Sequence, residues 1–294
     1  MRKSADGGET GVRHATSDRL AGGFGRLGMM IPVQAFYVPD GPGRFLSTPS
    51  TNGPWGPGSQ HGGPPAALLT RAVEALDGDR ARVVGRFTME LLGPVPVGPL
   101  RVEASVVRPG RSVELCEATA YDEERGRPCA RATAWLFPRR EDGTNQVVRP
   151  LPHGAADGVH RDPPRGWAGG YLDAIEWRWI TGALSEPGPG VVWMRPRVAL
   201  VEGQPISAVQ RLMTCVDSAS GVSSVLDMAQ WRFLNTELSV HVLRPPVGEW
   251  ICLDAETTLS TGSVGVATAR AYDGRGLVAR SAQALLITPP PPPR

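Results

Sequence analysis

The chain contains one long pattern twice. Val97-Gly98 lies over Val247-Gly248, Ala120-Tyr121-Asp122 over Ala271-Tyr272-Asp273, and Ala130-Arg131-Ala132 over Ala279-Arg280-Ser281, at an offset of 149 to 151 residues. The copies run from Thr88 to Phe137 and from Asn235 to Ile287, and the small changes in offset are single-residue insertions in turns. A repeat of this length is one folding unit used twice, which fixes the domain count before any other consideration. In the second copy four strand-like runs are separated by Arg244-Pro245-Pro246-Val247-Gly248, Ser260-Thr261-Gly262 and Asp273-Gly274-Arg275-Gly276. These are the turn residues of antiparallel hairpins.

Each repeated run is preceded by a helix. Trp55 to Pro65 is rich in Gly and Pro and leads into an apolar stripe at Ala67, Leu68, Val73 and Leu76, with Pro64-Pro65 suited to a first turn. In the second copy Pro205 is expected to start a helix whose stripe is Ile206, Val209, Leu212, Met213 and Val216, ending at Asp217. Ahead of the helices, strands are expected near Phe36-Tyr37, turning at Asp40-Gly41-Pro42-Gly43, and across Tyr171–Gly182 and Val191–Leu200. One helix against an antiparallel sheet, twice, is an α+β fold. The expected organisation is a disordered extension over 1–32, a first unit over 33–138, a linker over 139–165, a second unit over 166–288, and a proline tail over 289–294.

Composition narrows the function. Of the 294 residues 41% are hydrophobic and 20% charged, and 31 basic residues nearly balance 29 acidic ones. Scattered arginines and a net charge of +2 argue against nucleic acid as the partner. Cys116, Cys129, Cys215 and Cys252 stand in apolar runs without metal-ligand spacing, as reduced core residues of a cytoplasmic protein do, so no metal and no cofactor are expected. No apolar run reaches the roughly 18 residues of a membrane span, and the N-terminus lacks the apolar core of a signal peptide.

Three residues stand out as candidates for chemistry. Asp217 ends an apolar helical stripe, where it either caps the helix or does chemistry, since a buried carboxylate needs partners. Gln283 shares a strand face with Ala279, Ser281, Leu285 and Ile287, and the matching residue in the first copy is Ala134, so the fold itself does not require an amide there. On the strand from Leu234 to Arg244, alternation assigns Asn235 to the polar face with Glu237, Ser239 and His241, and Thr236 to the apolar face.

Their order in the chain resembles the acyl-CoA thioesterase II family of double-hotdog thioesterases. Trp55 with Gln60-His61-Gly62-Gly63, Leu243-Arg244-Pro245 and Val278-Ala279-Arg280-Ser281-Ala282-Gln283 carry the resemblance, across about residues 33 to 288. It implies a tandem hotdog fold, two antiparallel sheets each wrapping one long helix, and hydrolysis of an acyl-CoA to free acid and CoA. In that family an Asp, a Thr and a Gln hold the attacking water. Asp217 and Gln283 take two of these places. The Thr place falls on Asn235, with threonine only at Thr236, so an amide replaces a hydroxyl. Gly62 and Gly63 would bind the carbonyl oxygen at a helix N-terminus, and His61 would either line the pocket mouth or bond to backbone in a turn. The alternative is a double-hotdog protein that binds acyl-CoA or an acyl chain without turnover. A hotdog hydratase would need a histidine near its aspartate, and Asp217 has none nearby in sequence. A homodimer of double-hotdog chains is left open.

Overall fold

The two copies build two matching halves in a computed structural model, which describes residues 35–54, 56, 58–78, 81–140, 150, 153–227 and 230–289. The expected N-terminal extension, Trp55, residues 141–149 and 151–152 of the linker, and the tail from residue 290 lie outside the described residues.

The first half consists of β1 (Ala35–Pro39), β2 (Arg44–Ser47), α1 (Gly63–Ala75), β3 (Arg82–Leu91), β4 (Pro99–Arg108), β5 (Glu114–Asp122) and β6 (Arg127–Pro138). The second opens with a single helical turn, α2 (Tyr171–Ala174), where a strand was expected, and continues through β7 (Ile175–Ala183), β8 (Glu186–Pro196) and β9 (Ala199–Val201). It ends with α3 (Ala208–Val216), α4 (Ala219–Val222), β10 (Arg232–Asn235), β11 (Glu237–Val242), β12 (Ile251–Leu259), β13 (Val264–Asp273) and β14 (Gly276–Thr288).

The strands run in the order β7-β8-β12-β13-β14-β11-β3-β6-β5-β4-β2-β1-β9, with β10 also paired to β14; the six strands next to the β11–β3 seam on each side mirror each other, and β9 of the second half joins the far edge of the first, parallel to β1. That seam is antiparallel, from Glu237 opposite Glu90 to His241 opposite Arg86, and it joins the two sheets edge to edge. Joining them there covers two edges that would otherwise offer unpaired backbone groups. The repeat shows in detail as well as in order. The register slips at Ala120/Tyr121 between β5 and β6 and at Ala271/Tyr272 between β13 and β14, the same place in each copy.

The two helices pack against each other. In α1 every residue from Gly63 to Thr70 is buried, because one side meets the sheet and the other meets α3. Burying a Leu or Val side chain here stabilises the fold by about 1.5–3 kcal/mol. The second helix begins at Ala208 rather than at Pro205. Ser207 Oγ accepts the Gln210 amide at 3.0 Å while Gln210 Oε1 accepts the Ser207 amide at 3.2 Å, and this capping box fixes the start. Its stripe of Val209, Leu212, Met213 and Val216 is buried as expected. The helix is broken at Asp217, its C-cap, before the short α4.

Contacts at both ends hold the helices antiparallel. Near the end of α1, Glu74 accepts Ser207 Oγ at 2.9 Å and Gln210 Nε2 at 2.6 Å. At the other end Gly63 lies so close to α3 that a Cβ on it would be 2.1 Å from the Thr214 carbonyl oxygen. The start of α1 is therefore set beside the end of α3, which brings His61 and Gly62 of the first half to Asp217 of the second.

Candidate active site

Asp217 is 4% exposed and Gln283 fully buried, so both must find partners inside the protein. Asp217 Oδ1 accepts Gln283 Nε2 at 2.9 Å and Asn235 Nδ2 at 2.8 Å. Gln283 Nε2 also donates to the Asp217 carbonyl at 3.0 Å, and its Oε1 accepts the Ser220 amide of α4 at 3.2 Å. A carboxylate at a helix C-terminus faces the negative end of the helix dipole. The two amide donors offset that repulsion and fix the orientation of the carboxylate.

His61 approaches the other carboxylate oxygen, with Nδ1 3.3 Å from Asp217 Oδ2. The contact is not an ion pair. Burial holds the imidazole below its usual range, and the opposing pull of Asp217 is the smaller effect. Nδ1 accepts the Gly63 amide at 3.1 Å, which leaves the proton of the neutral ring on Nε2. The ring lies flat on Tyr171, with centroids 3.7 Å apart and planes within 3°. Tyr171 is anchored in turn, its hydroxyl 2.7 Å from the Thr214 carbonyl and 2.9 Å from Ser218 Oγ. Burial raises the Tyr171 phenol well above its usual value, so it stays protonated as a donor.

Gly62 completes the contact between the halves. A Cβ on it would lie 2.6 Å from Asp217 Oδ2 and 2.9 Å from Cγ, so only glycine lets the carboxylate come this close. The next two residues of α1, Pro64 and Pro65, carry no amide hydrogen. The free donors at this helix start are thus those of Gly62 and Gly63, and the Gly63 amide is taken by His61.

Of the residues singled out in the sequence, the structure brings together Asp217, Asn235, Gln283, His61, Gly62 and Gly63. Thr236 is not among them. It is exposed, with its hydroxyl 3.4 Å from the Ala284 carbonyl. The assignment of Asn235 to the polar face and Thr236 to the apolar one needs correction, because alternation fails at Thr236. Phe233 and Asn235 face inward on β10, and Leu238, Val240 and Val242 face inward on β11, so an extra residue lies between the two strands. Asp217 has no histidine near it in sequence, but in space His61 reaches it from the other half. His241 is exposed on its strand, as expected.

Sequence reasoning missed Tyr171 and Glu237. Nothing in the pattern linked Tyr171 to His61, because they lie in different halves and meet where the Tyr171 amide bonds the Asn52 carbonyl and the two long helices pack together. Glu237 looked like an ordinary polar strand residue. Its Oε1 accepts the Ala284 amide at 2.9 Å and its Oε2 accepts Ser239 Oγ at 2.9 Å, so its carboxylate fills the gap that the extra residue leaves in the ladder.

Comparison with known proteins points to one family. Residues 51–137 match the family model for the acyl-CoA thioesterase N-terminal domain, and residues 152–287 match that for the acyl-CoA thioesterase C-terminal domain. A candidate thioesterase II from Thermobifida fusca is similar in fold, with a TM-score of 0.69 at 19% identity, over 88% of this chain and 99% of that one. A hot dog fold protein of unknown function from Alicyclobacillus acidocaldarius superposes with a TM-score of 0.67 at 18% identity, over 84% and 93%. An acyl-CoA thioesterase II from Mycobacterium marinum gives 0.60 at 15% identity, over 78% and 91%. No curated protein matches the chain. Among the described residues no helix is long and apolar enough to cross a membrane.

Proposed function

This chain belongs to the acyl-CoA thioesterase family and is a thioester hydrolase, and we propose that it hydrolyses its acyl thioester at Asp217, with Asn235, Gln283 and His61 arranging the reaction. The observation that carries the reading is the buried Asp217 carboxylate, whose Oδ1 is held by two side-chain amides while Oδ2 faces the start of α1. Three polar groups meeting in an interior that the fold could fill with apolar ones are explained by chemistry.

In the proposed reaction a water bound at Asp217 gives up a proton to the carboxylate as its oxygen attacks the thioester carbonyl carbon. The carbonyl oxygen becomes negative, and the Gly62 amide at the start of α1 is placed to stabilise it. The tetrahedral intermediate then collapses, the C–S bond breaks, and the thiolate of CoA leaves. Asp217 returns the proton to the departing sulfur, so the carboxylate is regenerated and the products are a carboxylic acid and a thiol. Asn235 and Gln283 keep Asp217 fixed. A side-chain amide donates to a carboxylate as a hydroxyl does, so Asn235 performs the orienting part of the role that threonine has in the resembling family. His61, neutral and stacked on Tyr171, closes the site and leaves its Nε2–H as a further donor.

Thiol release from acyl-CoA substrates tests this directly. Asp217→Asn keeps the shape and the amide contacts but removes the base, and kcat should fall by at least about a hundredfold while KM changes little. Equal turnover by wild type and Asp217→Asn would refute Asp217 as the base. Binding of acyl-CoA with no turnover by wild type would favour the binding-protein alternative.

A further inference from the structure

Two cavities meet at Leu172, beside the cluster around Asp217. The first, about 260 Å³, lies between Asn52, Gly53 and Gly56 of the first half and Gly166, Gly169 and Gly170 of the second. It adjoins the residues that hold the site. The Thr51 carbonyl accepts the His61 amide at 2.8 Å, and the Asn52 carbonyl accepts the Tyr171 amide at 2.9 Å. Walls of glycine leave the backbone open to close approach by a ligand. The second cavity, about 240 Å³, is walled by Leu172, Leu184, Trp177 and Trp179, and Arg161 and Arg197 line it as well. Ring-to-ring steps lead to it from His61: 3.7 Å to Tyr171, 6.3 Å to Trp177 and 6.2 Å to Trp179. Together the two cavities reach the size of small-molecule sites, about 300–1,000 Å³.

Each cavity is lined by a residue with a buried polar atom that has no partner among the described residues. In the first it is an acceptor, Asn52 Oδ1, and in the second a donor, Arg161 Nε. Arg161 gives Nη1 to Glu186 at 2.8 Å, and the exposed Arg197 side chain has no partner among the described residues. These two arginines outnumber the one carboxylate that lines the cavity, Asp173. Unpartnered buried groups are costly. A matching ligand therefore carries a donor near His61, an apolar middle and an anion farther out. We propose that the cavities bind the phosphopantetheine arm of the thioester, with Asn52 Oδ1 accepting an amide N–H and Arg161 and Arg197 holding the phosphate. The arm has its amides nearest the sulfur, then a dimethyl carbon, then the phosphate, in the order of the cavity groups. About thirteen bonds separate sulfur from phosphorus, the reach of about four extended residues, or about 14 Å, which is the scale of the ring-to-ring steps. A guanidinium suits phosphate because its N–H groups bond it in pairs. An acyl chain in the same space would leave both buried polar atoms without partners.

The inference rests on the thioesterase reading, so turnover and binding are both measured. Thiol release is followed with one acyl group carried on CoA, on phosphopantetheine and on pantetheine. The proteins are wild type and the double variant Arg161→Gln/Arg197→Gln, each checked for folding by its melting temperature. Wild-type kcat/KM on phosphopantetheine should exceed that on pantetheine at least about tenfold, mainly through KM, the scale of a hydrogen bond to a charged group. In the double variant this ratio should fall to about one. Equal wild-type values on CoA and phosphopantetheine would place recognition at the phosphate that a carrier protein also offers, and a higher value on CoA would add its nucleotide; both uphold the arginines. Asn52→Leu should lower kcat/KM on all three carriers alike, because the amides are common to them. Isothermal titration reads the site without turnover, and CoA should bind the double variant at least about tenfold more weakly than wild type. A wild type that treats phosphopantetheine and pantetheine alike, or a double variant that keeps the wild-type ratio and CoA affinity, overturns the cavity assignment and leaves the hydrolase reading intact. No turnover on any carrier overturns the hydrolase reading, while weakened CoA binding by the double variant would still uphold the arginine site.

Discussion

Adding a methyl group at the junction of the two helices should separate activity from stability. At Gly63 a Cβ would lie 2.1 Å from the Thr214 carbonyl oxygen, and ordinary contact begins near 3.4 Å, so Gly63→Ala must move the start of α1 away from α3 by about 1.3 Å. Both groups are backbone, so no rotamer change relieves the clash. Overpacking of this kind costs about 2–3 kcal/mol, which for a chain of this size is a Tm loss of about 3–5 °C. The same movement withdraws His61 and Gly62 from Asp217, and a misplacement near 1 Å costs about a hundredfold in rate. At Gly62 the clash is with a side chain, 2.6 Å from Asp217 Oδ2, so the carboxylate has to give by about 0.8 Å. The backbone at Gly62 is already helical, at φ −68° and ψ −18°, so alanine adds no strain there. Gly62→Ala should therefore melt within about 2 °C of wild type while kcat/KM falls about a hundredfold. Differential scanning fluorimetry with thiol-release kinetics measures both quantities. Gly62→Ala with wild-type kcat/KM, or Gly63→Ala with wild-type Tm, would refute the packing argument and the placement of the site.

At Asn235, Asn235→Leu removes the donor to Asp217 at constant size and should lower kcat at least about tenfold, whereas Asn235→Thr should keep or raise it; the reverse order in steady-state kinetics would show that donation to Asp217 is not what matters. Acidification should lower Tm in two steps. The first follows from His61, whose folded value lies below the ordinary 6.5 chiefly through burial: below about pH 6.5 the unfolded chain binds the proton and the folded one resists it, so stability is full above that pH and declines beneath it. His61→Gln should remove this first decline, and an unchanged Tm profile between about pH 6.5 and 5 would contradict it. The second step belongs to the carboxylates held below their ordinary values, Asp122, Glu176 and Asp273; at Asp273 burial pushes the carboxyl up, but the combined bonds from Arg244, Val247 N and Arg275 N outweigh burial and hold it down below 3.8. Its contribution is present above 3.8 and lost as pH falls through the lowered folded value. Asp273→Ala leaves the Arg244 guanidinium without its paired bonds of 2.5 and 2.6 Å and should cost at least about 2 kcal/mol by urea denaturation, with a smaller loss counting against a structural role for the pair.

Much of this architecture could be read from the sequence because a repeat states its own alignment. Self-comparison aligns the two strand runs and exposes the Gln283/Ala134 asymmetry, while apolar spacing marks the helices and turn residues mark the hairpins. Asp217 stood out because a carboxylate closed an apolar stripe. What could not be read depends on how the halves meet. The contact of His61 with Asp217 follows from α1 and α3 packing antiparallel, and periodicity within either copy carries no information about that. The β11–β3 seam is equally silent, since a strand that pairs across a repeat boundary has the same alternation as one that pairs within it. The capping box at Ser207 and Gln210 starts the helix three residues past Pro205, because two reciprocal bonds outweigh the lone proline.

The orientation of Asn235 shows how far self-comparison reaches once the structure supplies the register. Thr88 faces Ser239 across the seam, and the register of β3 slips between Val84 and Arg86 against β6, with Gly85 as the unpaired residue. Taking Thr88 as the counterpart of Ser239 places Gly85 over Thr236 and Val84 over Asn235. Both copies thus carry the extra residue at the same point, and in both the residue before it turns inward opposite the last strand: Val84 faces Leu136, and Asn235 faces Leu285. The irregularity belongs to the repeated fold, and Thr236 is the residue that it displaces outward. What differs between the copies is what the inward places carry. In the first half they hold Val84, 2% exposed, and Ala134, fully buried, both content in an apolar core. In the second they hold Asn235 and Gln283, which would be costly there without Asp217 to receive both amides. One fold used twice therefore offers two equivalent positions for a site. Only the second carries Asn235 and Gln283 beside an aspartate, and the first half brings up the histidine and the glycine start of α1.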